Sequence, residues 1–204
     1  RGFHTELETV YEEKNMSLTQ DSRRVLEAML AALFPNHPYG QQSVLGTQEH
    51  LKNPSITNIK NYHKEWYVPN NIAICVSGDF NPDEMVATIE KYWGDFQPNA
   101  NLKKLEFPQE EPLTEPVKLV LEGQEAPFMY LAWRLPAANH EDMPVLTVLE
   151  NILNNGSTGL IDVNINQAQK VLGGASGGVN IFADHSCFII TARPKQGQSM
   201  NEVE

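Results

Sequence analysis

Prolines at positions 98, 108, 112 and 116 punctuate a polar, charged run between residues 95 and 116. Proline removes a backbone donor and fixes φ, so no helix or central strand runs through that spacing. The chain is therefore expected to fold as two blocks, residues 1–107 with the linker and residues 108–204. Its 204 residues suffice for one large domain or two modest ones, and a 41% hydrophobic content supports a packed core. The formal net charge of -11 argues against nucleic acid or an anionic membrane as partner. It leaves polypeptides, cations and neutral partners open. No apolar run reaches the roughly 18 residues that a membrane-spanning helix needs.

Periodicity fills in the blocks. Residues 5–34 form a helical zone, with Val25, Met29, Leu30 and Leu33 on one stripe. A turn-rich stretch follows from His37 to Gly46. A helix near residues 53–66 carries Ile56, Ile59, Tyr62 and Trp66, and Pro69-Asn70-Asn71 stops it. Residues 72–77 read as a strand and 83–93 as a helix. Beyond the linker come strands at 117–122 and 128–135, then a helix at 142–154. A glycine-broken turn, a helix to about residue 171, and strands near 178–183 and 185–191 complete the order. Strands joined by short turns pair antiparallel, so the expected fold is α+β, an antiparallel sheet with helices packed on one face.

The two cysteines, Cys75 and Cys187, lie in apolar strand-like runs and read as buried free thiols; no metal-type cysteine spacing occurs. His4 and His63 read as surface residues, and His140-Glu141-Asp142 as a helix cap. The chain opens on Arg1 beside a helix and ends on what looks like the first turn of another. It is expected to be a segment of a longer polypeptide.

Chemistry concentrates near the start, in Glu6-Leu7-Glu8-Thr9-Val10-Tyr11-Glu12-Glu13. On a helix, residues seven apart return to nearly the same face. Glu6 and Glu13 thus stack, and two such carboxylates can ligate and orient a cation, one directly and one from behind. Taken alone, an acidic helix start is most often a solvated face that complements the helix dipole.

Four patterns occur in order: Glu6-x6-Glu13 on a helix; Phe34-x2-His37-Pro38-Tyr39-Gly40 followed by Gly46; Tyr67-x-Pro69-Asn70-Asn71 before a strand; and Gly78-Asp79-Phe80 before a helix ending Tyr92-Trp93-Gly94. Together they resemble the pitrilysin/insulinase family of zinc peptidases, the inverzincins. The resemblance implies that the first block is the second half of a catalytic-type pitrilysin-like domain. The second block would be the first half of the next domain, where Leu146 to Gly156 resembles a leucine-rich helix closed by a glycine turn.

It also implies roles. The family's third zinc ligand is a glutamate about 75–80 residues beyond its His-x-x-Glu-His motif, supported by a glutamate two turns earlier. Glu13 and Glu6 match these positions, and the run Val10-Tyr11-Glu12-Glu13 favours Glu13 over Glu12. His37 falls in a turn of the family and is not a ligand. No His-x-x-Glu-His occurs in the chain, so it carries no catalytic residue of its own and is expected to be inactive alone. The implied parent is a zinc metalloendopeptidase acting on extended peptides or small unfolded proteins. Its partners would be peptide substrate and the remaining domains or a paired subunit. The resemblance leans to the bacterial periplasm or cell envelope. The alternative is a non-catalytic scaffold or partner subunit of a pitrilysin-type peptidase.

Overall fold

The computed structural model describes residues 2–204. They divide into two compact units, residues 2–11 with Gly46–Pro108, and Glu12–Leu45 with Gln109–Glu204. Helix α1 (Gly2–Leu18) contributes to both.

The first unit is helical. It contains α4 (Gln48–Lys52), α5 (Ile56–Trp66) and α6 (Pro82–Trp93). Local chemistry starts each one. Thr47, Ser55 and Asn81 accept hydrogen bonds from first-turn amides, which otherwise lack partners. Pro82 adds a preset φ at the first position of α6. The stop after α5 is built from asparagines. Asn71 Nδ2 donates to Trp66 O at 3.0 Å and Asn99 Nδ2 to Glu65 O at 3.1 Å. The Asn70 side chain then clasps the Asn99 backbone twice, Nδ2 donating to Asn99 O and Oδ1 accepting from Asn99 N, each at 2.9 Å.

Two expected strands do not form. Residues 72–77 and 117–122 pair with no strand among the described residues. A strand is stabilised by a neighbour that takes its amides and covers its side chains. Ile74 and Val76 accordingly stay 45% and 42% exposed. Cys75, expected buried, is exposed for the same reason, whereas Cys187 is buried in a paired strand.

The second unit holds α2 (Asp21–Leu33), the short α3 (Pro38–Gln41), β1 (Met129–Leu135), α7 (Met143–Leu153), β2 (Ser176–Asn180), β3 (Ser186–Ala192) and the terminal turn α8 (Met200–Val203). The strands make an antiparallel sheet in the order β1-β3-β2, with Trp133 opposite Phe188 and Phe188 opposite Val179. The fold is α+β with an antiparallel sheet, as expected. On one face Ile190 and Ala192 pack with Leu153 of α7 and with Ile161, Val171 and Ala175. On the other, Ala132, Cys187 and Ile189 meet Leu30, Leu33 and Phe34. The α2–α3 segment thus adds a second helical layer to the one-sided packing that the pattern suggests. Strand residues alternate faces, and both parities of β3 are apolar, so both faces need a cover.

The helix expected over 5–34 is broken at Thr19-Gln20. Gln20 is extended, and Asp21 opens α2 by reaching across the sequence. Asp21 Oδ2 accepts from the amides of Gln124 at 2.6 Å and Glu125 at 2.7 Å, and Glu125 Oε1 accepts from the Asp21 amide at 3.1 Å. A Cβ at Gly123 would lie 2.2 Å from Asp21 Oδ2, so only glycine allows this approach. The helix expected to run to about residue 171 is shorter, a π-helical turn Asp162–Gln167. Buried Asp162 takes the amides of Asn155 and Gly159 and the side chain of Asn166.

Candidate metal centre

Helix α1 carries Glu6, Glu12 and Glu13, all exposed. Among the described residues, the side chain of none of the three makes a hydrogen bond or an ion pair. Glu13 lies two turns beyond Glu6, and Glu12 is rotated about 100° from Glu13. Leu7, Val10, Lys14 and Leu18 recur at helical spacing as the inward stripe of α1. Glu6 and Glu13 flank that stripe, each one residue ahead of a member. A free carboxylate on a rigid helix is a suitable hard-oxygen donor for zinc. One donor does not make a site, and no group of three or more His, Cys, Asp or Glu side chains converges among the described residues.

The inward residue beside Glu13 is Lys14, the buried residue of α1. Its ammonium lies 2.7 Å from Glu27 Oε1 on α2 and 3.1 Å from Ser43 Oγ. Sequence reasoning missed it, because its partners stand 13 and 29 residues away and nothing in the local pattern marks them.

The His37-Pro38-Tyr39-Gly40 stretch is a buried structural knot. His37 is 1% exposed and caps α3, its Nδ1 accepting from the Tyr39 amide at 3.2 Å. That acceptor role fixes the proton of the neutral ring on Nε2, which faces Asp184 Oδ2 at 3.6 Å. The ring stands edge-on to His185 at 5.1 Å, and His185 stacks on Phe34 at 5.4 Å. Tyr39 Oη accepts from the Asp184 amide at 3.3 Å. Burial, then the neighbouring His185, holds the His37 pKa below its ordinary value, against the opposing pull of Asp184 and Glu110. A Cβ on Gly40 would meet Phe34 O at 2.3 Å, so the motif's glycine is required for close packing.

Below this knot, Glu110 enters the interior from the end of the linker. Its carboxylate accepts from Asn36 N at 2.8 Å and lies 3.8 Å from Arg134 Nη2 on β1. Arg134 also donates to Glu111 O at 2.6 Å and to Leu33 O. Cys187 nearby is inert, its thiol pushed up to about 11 by burial.

A sequence profile described as the peptidase M16 inactive domain matches residues 55–204. An uncharacterized zinc protease of Mycobacterium leprae is 25% identical over 196 residues, covering 92% of this chain and 42% of that protein. A solved protease from Helicobacter pylori has the same fold, with a TM-score of 0.72 at 20% identity over 99% of this chain and 49% of that one. Pitrilysin does too, with a TM-score of 0.70 at 19% identity over 94% of this chain and 21% of that one. The chain spans less than half the length of each of these proteins. The profile match begins after α1, while the Mycobacterium leprae and Helicobacter pylori matches cover nearly the whole chain. By its profile, its relatives and its fold, the chain belongs to the peptidase M16 family and is built like part of a pitrilysin-type protein.

Proposed function

We propose that the chain is a segment of a zinc-dependent endopeptidase in which Glu13 is a metal ligand and Glu6 its support. The observation that carries this reading is the free, exposed carboxylate of Glu13, with Glu6 two turns earlier on the same helix. Membership of a family with relatives named zinc proteases supports it. Zinc, when bound, supplies Lewis acidity and lowers the pKa of a coordinated water. The part played by this chain is to present one anionic oxygen donor from a rigid helix, and to keep it oriented through Glu6. The histidine ligands and the general base would come from outside the chain, in a His-x-x-Glu-His motif about 80 residues before Glu13. The proposed substrates are extended peptides or small unfolded proteins that add a strand to a sheet edge. The remaining domains or a paired subunit would complete the site. The proposed compartment is the bacterial periplasm or cell envelope, and release by osmotic shock tests it.

Three variants of the full-length protein test the assignment. Glu13→Gln should abolish zinc retention and peptide hydrolysis, because an amide is a poor zinc ligand. Glu6→Gln should weaken zinc binding by on the order of 10–100-fold. Glu12→Gln should do little. Damage from Glu12→Gln instead would shift the ligand by one residue; no effect from any of the three would remove this helix from the metal site.

A second reading is a non-catalytic partner subunit, favoured by the description of the matching profile as an inactive domain. An intact His-x-x-Glu-His in the parent gene supports the peptidase, and a degraded one the scaffold.

A further inference from the structure

We propose that Lys14 is a positioning residue: its contacts to Glu27 and Ser43 set the rotation of α1 and so aim the Glu13 carboxylate. This rests on the reading of Glu13 as a ligand. The inward stripe of α1 has few strong anchors. Leu7, Val10 and Leu18 are only half-buried. A stripe so weakly buried leaves the rotation of a helix loosely determined. Lys14 differs in kind. Its side chain is 6% exposed, against 39% for Glu27. A buried ammonium strongly requires its counter-charge, so any rotation that draws Lys14 from Glu27 is disfavoured. The contact to Ser43 comes from a separate segment, so the one Nζ is held from two sides.

Each helical residue turns by about 100°, so a rotation of even a fraction of that step swings the Glu13 oxygen away from a fixed metal. Zinc coordination tolerates only about 0.2 Å in ligand distance. Lys14 touches neither metal nor substrate. Its effect reaches the site through the backbone of the adjacent residue.

The test uses the full-length protein and Zn2+ alone. Zinc affinity is measured by competition with a chromophoric chelator, alongside the urea midpoint of the metal-free protein. Lys14→Met keeps most of the side-chain volume and removes the charge, and it should weaken zinc by on the order of 10–100-fold. The charge-exchanged double variant Lys14→Glu with Glu27→Lys should recover most of that loss, whereas a purely structural role would lower the urea midpoint of Lys14→Met and leave its zinc affinity unchanged. Wild-type zinc affinity in Lys14→Met, with Glu13→Gln stripped of zinc, would overturn the proposal and leave the ligand assignment standing. Unchanged affinity in Glu13→Gln would overturn the assignment and this proposal with it. Should Lys14→Met not fold, Glu27→Gln carries the same test with less change of shape, and unchanged zinc affinity there overturns the positioning role.

Discussion

His37 shows how one residue can look like chemistry and serve as architecture. A histidine beside proline, tyrosine and glycine has the makings of a ligand, yet its Nδ1 is committed to the Tyr39 amide and its Nε2 faces Asp184. The knot is stable while the ring is neutral, and the sign of its pH response follows. The folded pKa is depressed below the ordinary 6.5, chiefly by burial. The stabilisation is then complete above that value and is lost as pH falls toward the folded pKa. Urea midpoints measured from pH 8 to pH 5 should fall on the acid side, and His37→Gln should flatten that part of the profile. A carboxylate acts in a lower window. Backbone amides, Glu125 first, hold Asp21 below its ordinary 3.8, so its contribution persists to about pH 4 and disappears under stronger acid. Asp21→Asn should remove that acid-side loss, read from the same titration. The amides that hold Asp21 lie 103 and 104 residues away. For that reason the break before α2 was invisible in the sequence, whereas the Glu6-to-Glu13 spacing, being local, could be read directly.

At the scale of elements, α6, β1 and α7 were legible from local signals: the Asn81 cap and Pro82 start of α6, the apolar run of β1, and the helical spacing of apolar residues in α7. The strands at 72–77 and 117–122 were legible as apolar extended runs but not as unpaired ones, since pairing is a property of the neighbour. Their state has a measurable consequence: amides of residues 72–76 and 117–121 should exchange with solvent much faster than those of β3, which pairs on both sides. Slow exchange in either segment would mean that it is paired in solution. The contact of Glu110 with Arg134 is a second case of distant determination. Arg134→Met should leave a buried carboxylate held only by Asn36, at a cost of about 3–5 kcal/mol by urea unfolding. A loss under about 1 kcal/mol would show that Asn36 alone satisfies Glu110.

For the whole molecule, the proline-punctuated run gave the division into two blocks, which we retain as a proposal. Limited proteolysis should cut first between residues 97 and 108, where Lys103 and Lys104 are exposed, and before buried Glu110. First cuts inside residues 1–96 would contradict it. The isolated chain should lose zinc on dialysis against a mild chelator, since one carboxylate does not supply the ligands of a structural or catalytic zinc site. The central claim is that Glu13 reaches the metal in the complete protein. Anomalous diffraction at the zinc edge on crystals of the full-length protein tests it most directly. A zinc peak about 2.0–2.2 Å from a Glu13 carboxylate oxygen is the predicted result. A peak ligated by Glu12, or a zinc site with no residue of α1 in its coordination shell, would contradict it.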